Sequence, residues 1–195
     1  MTEIQTSLPG TYVDVGSWRP SSTLTDESYT PQWFLDFVEE IAPIDTDPCW
    51  SPMSLVRPQC WAWTHQQRGE TRQWFGHAFA NPGYSSPDAI IERCIEHAGK
   101  RIGPATLLLR LDPSTGWAQR LANFGRTMRR INNDWPCFFV DPVRRINFHQ
   151  PFKKKKGSGN DGCNRCYILG HDPNNVLRAN KLHQVGDLQI LGGIQ

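Results

Sequence analysis

The stretch WFGHAFANPGYSSPDAIIERCIEHAGKRIGPATLLLRL, Trp74 to Leu111, decides the fold. It opens on a strand that ends at Asn81. A helix follows, because Ile90, Ile91, Cys94, Ile95 and Ala98 form one stripe, with Ser86-Pro87-Asp88 at the start and Gly99 at the stop. The segment ATLLLRL is then a continuous apolar run of the kind buried in a parallel sheet.

Working outward, TPQWFLDFVEEI places Trp33, Phe34, Phe37, Val38 and Ile41 at helical spacing, with Thr30-Pro31 as cap and first position. APIDTDPCW reads as a very short strand running into an acidic loop, and SPMSLVRPQCWAW reaches a second short strand near Cys60 to Trp63. The first 28 residues mix scattered apolar positions with turn formers, which predicts a partly ordered arm ahead of a single domain over 29–195. Beyond Leu111 come a helix at STGWAQRLANFG, strands at PCFFV and RINFHQ, a loop over 153–162 and a strand at CYILG. Strands that alternate with helices and then continue without them predict an α/β sheet, mostly parallel, with an antiparallel C-terminal hairpin.

A chain of 195 residues is large enough to bury a core without disulfides. The start, MTEIQTSLPG, has neither a basic nor an apolar leader region, and no apolar run approaches a membrane span, so a cytoplasmic protein with no membrane partner is expected. Its six cysteines are then reduced thiols. The net charge of +2 hides an asymmetry: between Arg126 and Cys166 ten Lys or Arg stand against three Asp, a local +7 that leaves −5 for the remainder. Such segregation points to a polyanion as partner.

The chemistry-bearing element is Asn81-Pro82-Gly83-Tyr84, at the carboxyl end of a strand, where ligands of open α/β sheets bind. An Asn oxygen and the following Pro carbonyl can accept both hydrogens of an exocyclic amine, and a tyrosine ring can stack on the base carrying it. Such an amine is a weak nucleophile because its lone pair is delocalised into the ring. Two acceptors favour the pyramidal, charge-gaining transition state over the planar ground state. A base in a duplex must be flipped out to reach them.

With these residues in place the sequence resembles the phage-type, Dam-like DNA N6-adenine methyltransferases. YTPQWFLDFV is similar to that family's opening motif, IDTDPCWSP to its short acidic motif, and WFGHAFANPGYS to the strand leading into its Asn-Pro-Pro-Tyr signature. LLLRLDPSTGWAQRL, WPCFFVDPVRRINF and GCNRCYILG resemble its later strand, helix, strand and closing hairpin, in the same order, over residues 28–170. The resemblance implies a Rossmann-like fold, S-adenosylmethionine as cofactor, DNA as partner and a phage-encoded enzyme acting in the host cell. Carried over by position, it implies that Thr30, Pro31 and Trp33 line the methionine end of the cofactor, that Asp45, Asp47, Pro48 and Cys49 form the loop after the first strand, and that Asn81, Pro82 and Tyr84 hold the target base. The tetrapeptide does not discriminate between adenine N6 and cytosine N4, which leaves an N4-cytosine specificity open, and Gly83, standing where the family has its second proline, leaves open an altered activity or a protein that binds DNA or cofactor without turnover.

Lys153, Lys154, Lys155 and Lys156, with Arg144 and Arg145 nearby, are the expected phosphate contacts. Cys163 and Cys166 have the spacing of metal ligands but no second close pair, so no metal is expected. Cys137 opens an apolar run and reads as a core residue, not a nucleophile. Trp61 and Trp63 alternate along a strand, and aromatic packing is their expected use.

Overall fold

The computed structural model describes residues 28–83, 87–131, 136–150, 163–183 and 185–190. In chain order the elements are α1 (Gln32–Ile41), β1 (Thr46–Asp47), β2 (Trp61–Ala62), β3 (Ala78–Ala80), α2 (Asp88–Gly99), β4 (Ala105–Arg110), α3 (Gly116–Ile131), β5 (Cys137–Pro142), β6 (Asn164–Leu169), α4 (Pro173–His183) and β7 (Gly186–Ile190). Two single-turn 3-10 helices, His65–Gln67 and Gly69–Thr71, lie between β2 and β3.

The seven strands form one mixed α/β sheet in the order β2-β1-β3-β4-β6-β5-β7, an arrangement compatible with a Rossmann-like fold. Pairings from β2 to β4 are parallel. β6 runs antiparallel to both β4 and β5, and β7 is antiparallel to β5. The antiparallel part therefore extends beyond a closing hairpin: β6 is inserted between two strands that precede it in the chain.

Successive residues of a strand point to opposite faces, so a sheet covered on both sides needs two cores. Leu108, Val140, Cys166 and Ile168 face α1 and α4, where Phe34, Phe37, Val38, Val176 and Ala179 meet them. Leu107, Leu109, Tyr167 and Cys137 face the other way, against Ile91 and Cys94 of α2 and Leu121 and Met128 of α3. That alternation explains the unbroken apolar run in β4.

Three expectations need correction. The helix at STGWAQRLANFG does not stop at Gly125 but runs to Ile131, because Ala118, Leu121, Gly125 and Met128 continue one buried stripe. RINFHQ is not a strand of the sheet. The place beside β5 is taken by β7, and the segment makes only an isolated antiparallel bridge, His149 with Tyr29. Its Ile146 is nevertheless fully buried, which anchors it. Trp61 and Trp63 stack on each other with planes 5° apart, yet Trp61 remains 47% exposed, so only Trp63 packs against the core.

At the edge where β3 and β4 begin, a buried polar chain ties three strands together. His77 Nδ1 lies 3.0 Å from the Ala42 carbonyl and 3.2 Å from that of Pro43, and carbonyls only accept, so Nδ1 carries the proton. Nε2 of His77 then accepts from the Thr106 hydroxyl at 2.9 Å, whose oxygen accepts from His171 Nε2 at 3.0 Å.

Candidate functional site

From β1 the chain passes to β2 on one side, and β3 pairs with β1 on the other before continuing to β4. The crevice beyond the carboxyl ends of β1 and β3 is thus the point where the winding direction reverses, the usual ligand position in open α/β sheets. A cleft of about 360 Å3 opens there. Its size falls within the roughly 300–1,000 Å3 typical of small-molecule sites.

Asp47, Pro48 and Cys49 at the end of β1, Asn81, Pro82 and Gly83 after β3, and Thr30 all line it. Asp47 is only 3% exposed. Its Oδ1 accepts the Cys49 backbone N–H at 2.8 Å, but loss of solvent outweighs that bond and pushes the carboxyl up to about 7. Burial, and then the neighbouring Asp47, push the Cys49 thiol well above its ordinary range, so it is a poor nucleophile.

Asn81 Nδ2 donates to the Ser28 carbonyl at 2.9 Å and to Thr30 Oγ1 at 3.2 Å. The Ser28 oxygen can only accept, so it determines which end of the amide is which. Oδ1 is left without a donor among the described residues, as an acceptor bordering the cleft.

The other expected site residues are placed as follows. Pro31 precedes α1, and its carbonyl accepts from Phe34 and Leu35 at the helix start. Trp33 does not line the cleft; its ring packs edge-on to Phe34 and lies beneath the Arg144 guanidinium. Asp45 also turns away, accepting the His77 backbone N–H at 2.8 Å beside Gly76, which has a φ of 56° and approaches that carboxylate too closely for a side chain. Tyr84 and Lys153 to Lys156 lie outside the described residues.

The described arginines of the basic block from Arg126 to Cys166 do not form one patch. Arg165 is neutralised by Asp141 through two hydrogen bonds of 2.6 and 2.7 Å. Arg126, Arg129 and Arg130 sit near the end of α3, which leads from the carboxyl end of β4 back to the start of β5, at the edge opposite the cleft. Arg144 lies beside α1, above Trp33, and Arg145 next to it is exposed.

The cleft also contains residues that sequence reading did not single out: Tyr29, Ser51, His65 and Glu70. The Ser51 hydroxyl donates to that of Tyr29 at 3.1 Å. Glu70 reaches the cleft because the turn bearing it packs on the loop after β1, where a Cβ on Gly69 would run into the Pro48 carbonyl. That glycine was the one available signal. Among the described residues no group of three or more His, Cys, Asp or Glu is arranged to hold a metal ion, and no helix is long and apolar enough to cross a membrane.

No family model matches the chain, and a search of curated proteins finds no similar sequence.

Proposed function

We propose that this cleft binds S-adenosylmethionine and a flipped-out base of DNA, and that the chain is a DNA methyltransferase acting on the N6 amine of adenine. The observation that supports it is the polarity of Asn81: its amide hydrogens are taken by Ser28 and Thr30, so its acceptor end is the one offered to a ligand amine. A donor-bearing ring edge is the complement of that oxygen. A base presenting a carbonyl there would meet repulsion.

The residues present also suit the cofactor. Asp47 is a buried acid without a cationic partner among the described residues, which suits an ammonium group, and Glu70 offers a carboxylate to ribose hydroxyls. Bound there, the cofactor would supply a sulfonium methyl, which the amine takes as the carbon–sulfur bond breaks and a proton leaves to water. Asn81 Oδ1 and the Pro82 carbonyl would accept from the amine and draw it out of plane, and Tyr84 would stack on the base. Arg144, Arg145 and Lys153 to Lys156 would contact phosphates.

Gly83, which lines the cleft, favours two further readings, a changed amine target such as N4 of cytosine and a site without turnover, because it frees the backbone that aims the Pro82 carbonyl. Nucleoside mass spectrometry of unmethylated DNA incubated with protein and S-adenosylmethionine tests all three, with Gly83→Pro in parallel. N6-methyladenine from the wild type is the expected result. N4-methylcytosine would shift the target, and product from the proline variant alone would mean that Gly83 has silenced the site.

A further inference from the structure

The outer edge of the sheet at β2 carries aromatic rings and guanidinium groups side by side. Between Ser54 and Trp61 the chain alternates: Ser54, Val56 and Pro58 are buried, whereas Leu55, Arg57, Gln59 and Trp61 are exposed. The inner side of this segment lines the cleft through Ser54 and Val56. Its outer side ends in a three-ring cluster, because Trp61 stacks on Trp63 at 5.8 Å and lies 6.3 Å from Phe75 with planes 33° apart. Trp63 packs on the core and anchors the cluster, while Trp61 and Phe75 are 47% and 42% exposed. β2 ends the sheet on this side, so among the described residues no further strand covers them.

The charge of this edge is of one sign. From Pro48 to Phe75 the sequence has Arg57, Arg68 and Arg72 against Glu70 alone, and Glu70 is paired with Arg68 at 3.0 Å. Glu96 of the neighbouring α2 is paired with Arg93 and Lys100, and the Asp45 carboxylate accepts the His77 N–H. Arg57 and Arg72 have no carboxylate partner among the described residues and are held by backbone carbonyls instead. Arg57 Nη1 donates to those of Ser54 and Val56 at 2.6 and 2.9 Å, and Arg72 Nε to that of Gln67 at 2.9 Å. These bonds fix both guanidinium groups on the surface and leave each with N–H donors for an anion. At most about 11 Å of chain separates Arg72 from Phe75, and about 14 Å separates Arg57 from Trp61.

Exposed rings beside uncompensated arginines suit an unpaired nucleic-acid strand, whose bases stack on aromatic faces while its phosphates meet the cations. A duplex hides its base faces and offers this edge only phosphates. A second copy of the chain is a poorer fit, because a two-fold contact here would bring the arginines of both copies into one interface without a free acid to receive them. We propose that the β2 edge is a binding surface for a single strand of nucleic acid, with bases on Trp61 and Phe75 and phosphates at Arg57 and Arg72. Strand binding at this edge requires no turnover. What rests on the methyltransferase reading is the consequence that the strand continues past Ser54 and Val56 into the cleft, which makes unpaired DNA the preferred substrate.

The test uses the full chain and a short fluorescein-labelled oligothymidylate, followed by anisotropy over a range of salt concentrations, against a duplex of the same length. The wild type should bind the single strand more tightly than the duplex, on the order of tenfold. Trp61→Ala and Phe75→Ala should each weaken single-strand binding about tenfold and leave duplex binding within about twofold. Trp61→Phe keeps a ring and should restore most of the affinity, which separates lost stacking from lost folding. Replacing both Arg57 and Arg72 with Gln should lower the slope of log affinity against log salt by about 1.4, at about 0.7 for each charge on a single strand. Equal single-strand affinity of wild type and Trp61→Ala, or a salt slope unchanged in the arginine double variant, would overturn the proposal. A wild-type dimer that Trp61→Ala dissociates would assign the edge to self-association and overturn it as well. Strand binding lost in Trp61→Ala, with no methylated base formed by the wild type, would uphold this surface and sink the methyltransferase reading. Methylation of duplex DNA that is insensitive to all four substitutions would do the reverse.

Discussion

The Arg144 guanidinium stacks on the Trp33 ring at 3.9 Å, so two side chains expected to serve different ligands serve each other. Trp33 was expected at the cofactor and Arg144 at DNA. A cation over an indole face at a partly exposed site contributes about 0.5–1 kcal/mol. A double-mutant cycle of Trp33→Ala and Arg144→Ala, followed by urea unfolding, should return a coupling of that size. Trp33→Phe should leave the affinity for S-adenosylhomocysteine within about twofold, since the ring lies outside the cleft. A tenfold loss would put Trp33 back at the cofactor.

Asp47 gives the site a pH dependence of defined sign. Its folded carboxyl is raised to about 7, above the value of about 3.9 in an unfolded chain. Between these values the folded state holds the extra proton, so the contribution of Asp47 to stability is full below pH ~4 and is lost as pH rises through ~7. A cationic ligand needs the ionised form, so affinity for S-adenosylhomocysteine should increase from pH 6 to 8. Asp47→Asn should bind more weakly with a flat pH profile; calorimetric titration at three pH values decides it.

The histidine chain at the far edge has the opposite sign. Burial lowers His77 to about 4 and drives His171 well below its ordinary range. Unfolded histidines titrate near 6.5, so this stability is present above that value and is lost as pH falls through ~4. Thr106→Val keeps the shape but leaves two imidazole nitrogens without a partner, at a cost of about 2–4 kcal/mol. Chemical unfolding at pH 7 checks the loss. A cost below 0.5 kcal/mol, on the scale of ordinary surface substitutions, would contradict the assigned bonds.

Gly69 supports the cleft from beneath. Its carbonyl accepts the Trp74 indole N–H at 2.8 Å, while its Cα faces the Pro48 carbonyl too closely for any side chain. Gly69→Ala should therefore lower stability by about 1–3 kcal/mol, as overpacking does. It should also weaken cofactor binding, because Pro48 must move. Thermal unfolding with and without S-adenosylhomocysteine separates the two effects.

The parts of this fold legible in the sequence are those whose signal is local. The stripe of α2 and the apolar run of β4 each report their own burial, and Asp47 and Asn81 stand out because each directly follows or closes a strand. α4 escaped notice because among its described side chains only Val176 and Ala179 are both apolar and buried, although Asp172-Pro173 is a recognisable helix start: the Asp172 side chain accepts the Asn174 N–H at 2.9 Å. RINFHQ misled because Ile146 is buried, as in a strand, yet its partner is the arm. Nothing local links His149 to Tyr29 or Glu70 to Pro48. Those contacts exist only once distant segments have been brought together.

The insertion of β6 between β4 and β5 has a consequence for synthesis. Both neighbours leave the ribosome before β6 does, and neither pairs with the other. Until Leu169 has been made, the nascent chain holds a four-stranded half and a separate β5 with a gap between them, exposing backbone edges to any other strand at hand. The central gap is filled late and through contacts distant in sequence, before β7 completes the edge, which is the slow route for a fold of this kind.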